Sequence, residues 1–346
     1  MPTLHLNTAW RSPSNIAIIK YWGKHGDQLP DNPSLSLTLT EALTETRISA
    51  QTKQGEKPVI EFRFEGASAP AFGERISRYL QKVTPRLPVL AGMDLVIDSS
   101  NSFPHSAGIA SSASAMCALA CCLVELQQQY EGVVFSDLRW ERLVSEIARL
   151  GSGSACRSVE GPVMVWGSNR ILPGASDTFA IKLEEVHPVF TTMRDSILII
   201  DDGVKHVSSS AGHALMISHP YRNARLDQAS AHLSRLVPAM QHGDLVTFGE
   251  IAEAEALALH ALMMTSSPSF MLFHPETIEV LNRVREFRAS SGAQVYFTLD
   301  AGPNVHLLYP ESETDLVLPW ITETLTQFCT DSRVIHDYVG TGVELM

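Results

Sequence analysis

Cysteine is scarce and irregularly placed in this chain, with five residues at positions 117, 121, 122, 156 and 329. An odd count gives no disulfide framework, and the spacing matches no zinc-binding pattern. Three of the five fall inside one apolar stretch, where free cysteine acts as a small buried hydrophobe. An excess of cations is also missing. Lys and Arg number 26 against 38 Asp and Glu, a formal net charge of −12, and the sequence pI is near 5.5. That balance argues against general nucleic-acid binding or adsorption to an anionic membrane. An anionic ligand must therefore be held by a local cluster of cations. The chain has no run of about 18 apolar residues, which argues against a membrane-spanning helix. Met1–Trp10 lacks the apolar core of a signal peptide. The simplest expectation is a cytoplasmic location. Internal repeats and low-complexity segments are absent too.

What is there is length and apolar content for two cores: 346 residues, 45% of them hydrophobic. Ser34–Thr40, Thr44–Ala50 and Val59–Phe64 alternate with a period of two and predict an antiparallel sheet, with a turn over 51–58. Met93–Ile97 predicts a further strand, Ala71–Val83 a helix, and the Ala-, Cys- and Leu-rich run 113–126 a buried helix. Ser136 is placed to cap a helix carrying Leu143, Ile147 and Leu150 on one face, and Gly151 to end it. Pro162–Trp166 reads as a strand. The segment 169–195 has few periodic stretches, so the boundary between two domains is expected near 190, as 1–190 and 191–346, with the last residues packing back on the first domain. In the second half, Ser196–Ile200 predicts a strand. Helices are expected over 211–240, 244–264, 276–290 and 316–328, with Pro319 tolerable only in a first turn. Strands over 294–299 and 305–309 flank the turn Asp300-Ala-Gly-Pro-Asn304, and 334–339 is a last strand. Helices mixed with largely antiparallel strands predict an α+β fold.

Chemistry concentrates in a few places. Asn101-Ser-Phe-Pro-His-Ser-Ala-Gly-Ile-Ala-Ser-Ser-Ala-Ser114 joins a strand to a helix through small residues. Unpaired N–H groups and the helix dipole at such a junction suit a phosphate; a tight turn with a serine cap fits equally well. Lys20, Lys24, Arg157 and Lys205 each adjoin a small polar loop. Singly each reads as a solvated surface charge, and together they form the vocabulary of a site for a phosphorylated small molecule. Asp300 ends an apolar strand, where it either caps the turn or serves as base or orienting group for a hydroxyl. Asp201 and Asp202 pose the same choice on weaker grounds. His105 sits inside the glycine loop, where a solvated role competes with a phosphate contact.

Pro104-His-Ser-Ala-Gly-Ile-Ala-Ser-Ser-Ala113 resembles the phosphate loop of the GHMP small-molecule kinases, Pro-x-x-x-Gly-Leu-x-Ser-Ser-Ala. Asn15-Ile-Ala-Ile-Ile-Lys-Tyr-Trp-Gly-Lys24, Ser34-Leu-Ser-Leu-Thr38, Gly151-Ser-Gly-Ser-Ala-Cys-Arg-Ser158, Lys205-His-Val-Ser-Ser209 with Gly212, and Thr298-Leu-Asp-Ala-Gly-Pro-Asn304 are similar, in order, to the diphosphomevalonate decarboxylase branch of that superfamily. The resemblance implies a two-domain GHMP-type fold with a cleft between the domains. It also implies ATP and Mg2+ as cofactors, a phosphorylated small-molecule substrate and a homodimer. The implied reaction phosphorylates the 3-hydroxyl of mevalonate 5-diphosphate and then expels phosphate and CO2. Carried over residue by residue, Asp300, Arg157, Lys20 and Ser112 are catalytic. Asn15, Tyr21, Trp22, Lys24, Ser152, Ser154, Arg157, Ser208 and Ser209 face the substrate. Ser99, Asn101, Pro104, His105, Ser106, Ala107, Gly108, Ile109, Ala110, Ser111 and Ser112 face ATP, and Ser111 or Ser112 could share a metal ion with phosphate. Departures are Ile109 for Leu, His105-Ser106 where Thr-Ala is frequent, and Ser210-Ala-Gly-His213, which bears on the distal phosphate. Related readings are a kinase or decarboxylase acting on mevalonate or its 5-monophosphate, and a catalytically inactive nucleotide-binding homologue.

Overall fold

The structure, a computed structural model, describes residues 4–103, 111–203 and 209–346. An eight-stranded sheet dominates the first half, with the order 344–345, 5–19, 34–52, 93–101, 60–64, 67–68 along its main path. Val163–Trp166 and Ala180–Lys182 extend it from the other end of the long Ser34–Thr52 strand. The Ser111–Glu131 and Asp137–Gly151 helices pack behind it. The second half carries a four-stranded antiparallel sheet, 296–298, 305–309, 194–198, 334–338, and the Arg222–His242, Leu245–Met264 and Pro275–Ser291 helices. The expected mixture of helices with largely antiparallel strands is present.

Several local expectations need correction. Ser34–Thr40 and Thr44–Ala50 belong to one 19-residue strand, because His5–Ile19 pairs with both segments across a register shift between Pro13 and Asn15. Ile60–Phe64 does not fold back on that strand. It runs parallel to Met93–Asn101, which takes the place beside Ser34–Thr52. The Pro70–Val83 helix is the crossover that a parallel pair requires. The expected helix over 211–240 is two, Ser209–Leu215 and Arg222–His242, separated by turns over 216–221 that include Pro220, a residue with no N–H for a continuous helix. Pro319 lies near the end of the short Thr314–Trp320 helix rather than in its first turn, and a wider turn of helix follows at Ile321–Leu325. Ser136 occupies the N-cap position without a side-chain capping bond. Gly151 is the last helical residue and has no left-handed backbone. A Cβ there would lie 2.1 Å from Met116 Cε, the end of a flexible side chain on the Ser111–Glu131 helix that would have to move aside.

One hydrophobic core runs through both halves. Ile16, Leu35 and Leu37 of the large sheet are clustered with Ile197, Leu233, Phe248 and Leu308 of the second half. Near it, the Asp337 carboxylate accepts the N–H groups of Thr40, Glu41 and Ala42 at 2.7 to 2.9 Å. Burial raises the Asp337 carboxyl above the usual range and these backbone donors oppose the rise. The shared core brings the end of the His5–Ile19 strand against the Leu245–Met264 helix and the turn after 298.

Candidate active site

Lys20 follows the last residue of the His5–Ile19 strand and is only 2% exposed. A buried ammonium needs a counter-charge, and Lys20 Nζ donates to Asp300 Oδ1 at 3.0 Å. Burial lowers the Lys20 pKa and the Asp300 charge opposes that fall. Arg157, also 2% exposed, adds its charge to the cluster. Its guanidinium donates to Ser36 Oγ at 3.2 Å, Ser34 Oγ at 2.5 Å and Asn15 Oδ1 at 3.3 Å. Asn15 in turn donates to the Ser154 carbonyl and to Ser158 Oγ. Arg157 is thus built into the floor by two hydroxyls and an amide, with no carboxylate bonded to it among the described residues.

The peptide of Lys20 is held on both sides. Its N–H donates to Glu255 Oε2 at 2.9 Å and its carbonyl accepts from Arg225 Nη2 at 2.9 Å and from Asn32 Nδ2 at 3.0 Å. Arg225 forks onto both Glu255 oxygens at 2.6 and 2.7 Å, and His232 Nδ1 lies 2.7 Å from Oε1. Burial pushes the Glu255 carboxyl up, but His232, Arg225 and the Lys20 N–H outweigh it and hold it at about 2. Five residues further along the same helix, His260 Nε2 donates to the Asp300 carbonyl at 3.1 Å.

The described residues expected to face ATP gather at a cavity of the first half. A cavity of about 340 Å³ opens at the start of the Ser111–Glu131 helix. Ser99, Asn101, Ser111 and Ser112 line it, with Phe62, Phe64 and Phe72 on its apolar wall and Arg75, Arg78 and Lys82 among its borders. Thr44 Oγ1 donates to Asn101 Oδ1 at 2.8 Å and orients that amide. Ser112 Oγ and Ser152 Oγ are 3.1 Å apart. One residue expected on the nucleotide side and one expected on the substrate side therefore share a hydrogen bond. Among the described residues no group of three or more His, Cys, Asp or Glu gathers. The Ser111 and Ser112 hydroxyls would be at hand for a magnesium ion, a cation that keeps mixed phosphate and water ligands.

At the opposite end, Tyr21 packs against Trp166 and His213 with ring centroids 4.7 and 4.3 Å away. Its buried hydroxyl has no hydrogen-bond partner among the described residues, and burial raises its pKa well above the ordinary value. Trp22 lies against Gly212, where a Cβ would come within 2.5 Å of the indole ring. Lys24 is half-buried and donates to Gln28 Oε1 at 2.7 Å; partial burial and Lys82 lower its pKa.

Of the remaining expectations, Asp201 and Asp202 take structural parts: Asp201 accepts the Gly203 N–H and Asp202 pairs with Arg333. Pro104, His105, Ser106, Ala107, Gly108, Ile109, Ala110, Lys205 and Ser208 lie outside the described residues. Ser209 opens the Ser209–Leu215 helix, and its side chain is likewise outside the description. Sequence reasoning missed Glu255, Arg225, His260 and His213, and the phenylalanine wall of the cavity. An acid inside Ile251-Ala-Glu-Ala-Glu-Ala-Leu-Ala-Leu259 was the available signal, since a charge on an otherwise apolar helix demands a partner.

A buried lysine bonded to Asp300, a guanidinium seated on hydroxyls and a cavity at the start of the Ser111–Glu131 helix stand together in a chain of the GHMP kinase superfamily. The family models for the diphosphomevalonate decarboxylase-like N-terminal domain and the mevalonate 5-diphosphate decarboxylase C-terminal domain match residues 12–180 and 196–342. The chain belongs to the diphosphomevalonate decarboxylase family. It is 31% identical to Diphosphomevalonate decarboxylase mvd1 of Aspergillus fumigatus, over 88% of this chain and 77% of that one. Its structure is similar to mevalonate diphosphate decarboxylase from Staphylococcus aureus, with a TM-score of 0.85 at 30% identity, covering 99% of this chain and 98% of the other. It is also similar to MDDEF in complex with MVAPP, AMPPCP and magnesium, with a TM-score of 0.84 at 30% identity over 99% of each chain.

Proposed function

We propose that this chain uses ATP and Mg2+ to convert mevalonate 5-diphosphate into isopentenyl diphosphate, ADP, phosphate and CO2. The observation that carries the reading is the Lys20–Asp300 pair at 3.0 Å, with the buried Arg157 in electrostatic reach of both. Asp300 takes the proton of the substrate 3-hydroxyl as that oxygen attacks the γ-phosphorus and ADP leaves. The tertiary C–O bond then breaks toward phosphate. The bond to the carboxylate carbon breaks next, CO2 departs, and its electron pair becomes the new double bond. Phosphoryl transfer asks the protein for position and charge neutralisation rather than covalent chemistry. Lys20 donates to Asp300 and aims it, and Arg157 faces the substrate carboxylate. Ser112, Ser111, Ser99 and Asn101 address the nucleotide, while Asn15, Tyr21, Trp22, Lys24, Ser152 and Ser154 shape the substrate end. Mg2+, when bound, neutralises charge on the transferring phosphates.

Residues 1–190 form the nucleotide-side domain in this reading and 191–346 the domain that brings Asp300. The protein is a cytoplasmic homodimer, a placement supported by five free, buried cysteines; light scattering tests the oligomeric state. The function is tested by giving the protein ATP, Mg2+ and mevalonate, its 5-monophosphate or its 5-diphosphate in turn, and following ADP and CO2 separately. Stoichiometric ADP and CO2 from the diphosphate are expected. ADP without CO2 would make it a kinase, and nucleotide binding with no turnover would make it a binding protein.

A further inference from the structure

The Leu245–Met264 helix touches both members of the Lys20–Asp300 pair through their backbones. Glu255 accepts the Lys20 N–H at 2.9 Å, and His260 Nε2 meets the Asp300 carbonyl at 3.1 Å. The two positions are separated by about 7.5 Å of helix rise, so a single rigid element spaces the lysine from the carboxylate. A carbonyl can only accept, so the His260 proton resides on Nε2. The imidazole is 1% exposed and stacks on Phe273 with centroids 4.0 Å apart and planes 4° from parallel, which fixes the direction of that donor. The same carbonyl accepts the Gly302 N–H at 2.8 Å, so the turn that carries Asp300 is tied both to itself and to the helix. Burial, offset only in part by that hydrogen bond, lowers the His260 pKa to about 4, and the ring is a neutral donor at working pH.

We propose that His260 is a positioning residue for the reaction: its bond to the Asp300 carbonyl sets the carboxylate at hydrogen-bonding distance from Lys20. The inference rests on the assignment of Asp300 as the group that handles the hydroxyl proton. The histidine itself reaches no substrate; it acts through Asp300.

His260→Leu removes the donor and keeps much of the bulk, whereas His260→Gln carries an amide N–H out to the position of Nε2. The leucine variant is expected to lose about 10- to 100-fold in kcat, the scale of a misplacement of about 1 Å, with the KM for ATP unchanged. The glutamine variant is expected to recover most of the loss. A leucine variant within about threefold of the parent, or a glutamine variant as impaired as the leucine one, would overturn the proposal. If the leucine variant does not fold, His260→Gln is compared with His260→Asn, whose amide is too short. A tenfold advantage for glutamine, roughly the value of one placed hydrogen bond, supports positioning, and equal rates overturn it. Crystal structures of the folded variants give a readout that does not depend on which substrate is used. Loss of the Lys20–Asp300 contact in the leucine or asparagine variant supports the proposal, and a contact kept at its parental length overturns it, even if the parent enzyme turned over none of the three substrates.

Discussion

Acid should unfold this protein through two buried histidines, in a pH range that their surroundings fix. Burial, with Lys24 adding to it, lowers His213 from 6.5 to about 3. Burial lowers His260 to about 4. His213 Nδ1 accepts the Gly23 N–H at 3.0 Å, so protonating it also removes an acceptor from that amide. At pH 7 both rings are neutral in either state. As the pH falls below about 6.5 the unfolded chain takes up a proton on each ring that the folded chain refuses until about pH 4 or pH 3. The unfolded state therefore binds more protons, and stability falls with pH across that window. With each pKa unit worth about 1.4 kcal/mol, going from pH 7 to pH 4.5 costs about 2 to 3 kcal/mol per histidine. Two such losses are a large part of a total stability of about 5 to 15 kcal/mol. Burial lowers His336 as well, in the same direction. It raises Asp337 and Glu160, which hold protons in the folded state that the unfolded chain has shed and so oppose the loss. Below about 4.5 the loss continues through Glu255, held at about 2 when folded. Urea unfolding followed by tryptophan fluorescence between pH 7 and pH 4.5 measures the slope, and His213→Gln and His260→Gln isolate each share. Each variant should flatten the dependence by about 2 to 3 kcal/mol over that range. A variant whose pH slope matches the parent's would refute the reasoning for that histidine.

Other outcomes follow from the same geometry. Asp300→Asn should lower kcat by about 10²- to 10⁴-fold, the usual worth of general base catalysis, and abolish ADP and CO2 together while nucleotide binding persists; near-parental turnover would remove Asp300 from its role. Arg157→Lys keeps the charge but cannot reproduce the contacts to Ser34, Ser36 and Asn15, and steady-state kinetics should show a kcat at least about tenfold lower. Arg157→Ala should in addition lose stability by about 2 to 5 kcal/mol in urea unfolding, since it leaves buried hydroxyls and an amide without their donor. Ala115→Phe puts a ring into the cavity and should weaken ATP binding about tenfold or more by titration calorimetry with little change in the KM for the other substrate.

How much of this was legible in the sequence depends on what kind of contact each feature needed. Period-two alternation located the strands because their register with neighbours repeats locally, yet it could not tell which strand is whose neighbour. Val59–Phe64 alternates as an antiparallel hairpin strand would, and only the crossover through Pro70–Val83 reveals that it lies parallel to Met93–Asn101. The strand Ser34–Thr52 shows a related limit. Its serines look like a solvent face, but Ser34 and Ser36 are fully buried because Arg157, more than a hundred residues away, needs hydroxyl acceptors. Pattern reads the side of the strand, and the partner decides whether that side is wet.

The site divides in the same way. Lys20, Arg157, Asp300, Ser112 and Ser152 were readable because each stands in a short motif whose chemistry is local. Glu255, Arg225, His232 and His260 stand in ordinary helical sequence and act on one another and on the backbone of Lys20 and Asp300. Such residues hold a peptide rather than a ligand, so their identity follows from a distance across the fold that no local spacing encodes. The one trace they leave is energetic. Glu255 is fully buried yet held at about 2, which is possible only with a cation and a hydrogen-bond donor in contact. An acid amid Ala and Leu on a helix therefore predicts an Arg or His facing it. Here Arg225 and His232 lie on one neighbouring helix, seven residues or two turns apart, and so present the same face to Glu255. The pairing places the Arg222–His242 and Leu245–Met264 helices side by side before any tertiary fact is known. What it leaves open is the remaining acceptor capacity of Glu255, and the structure gives that to Lys20.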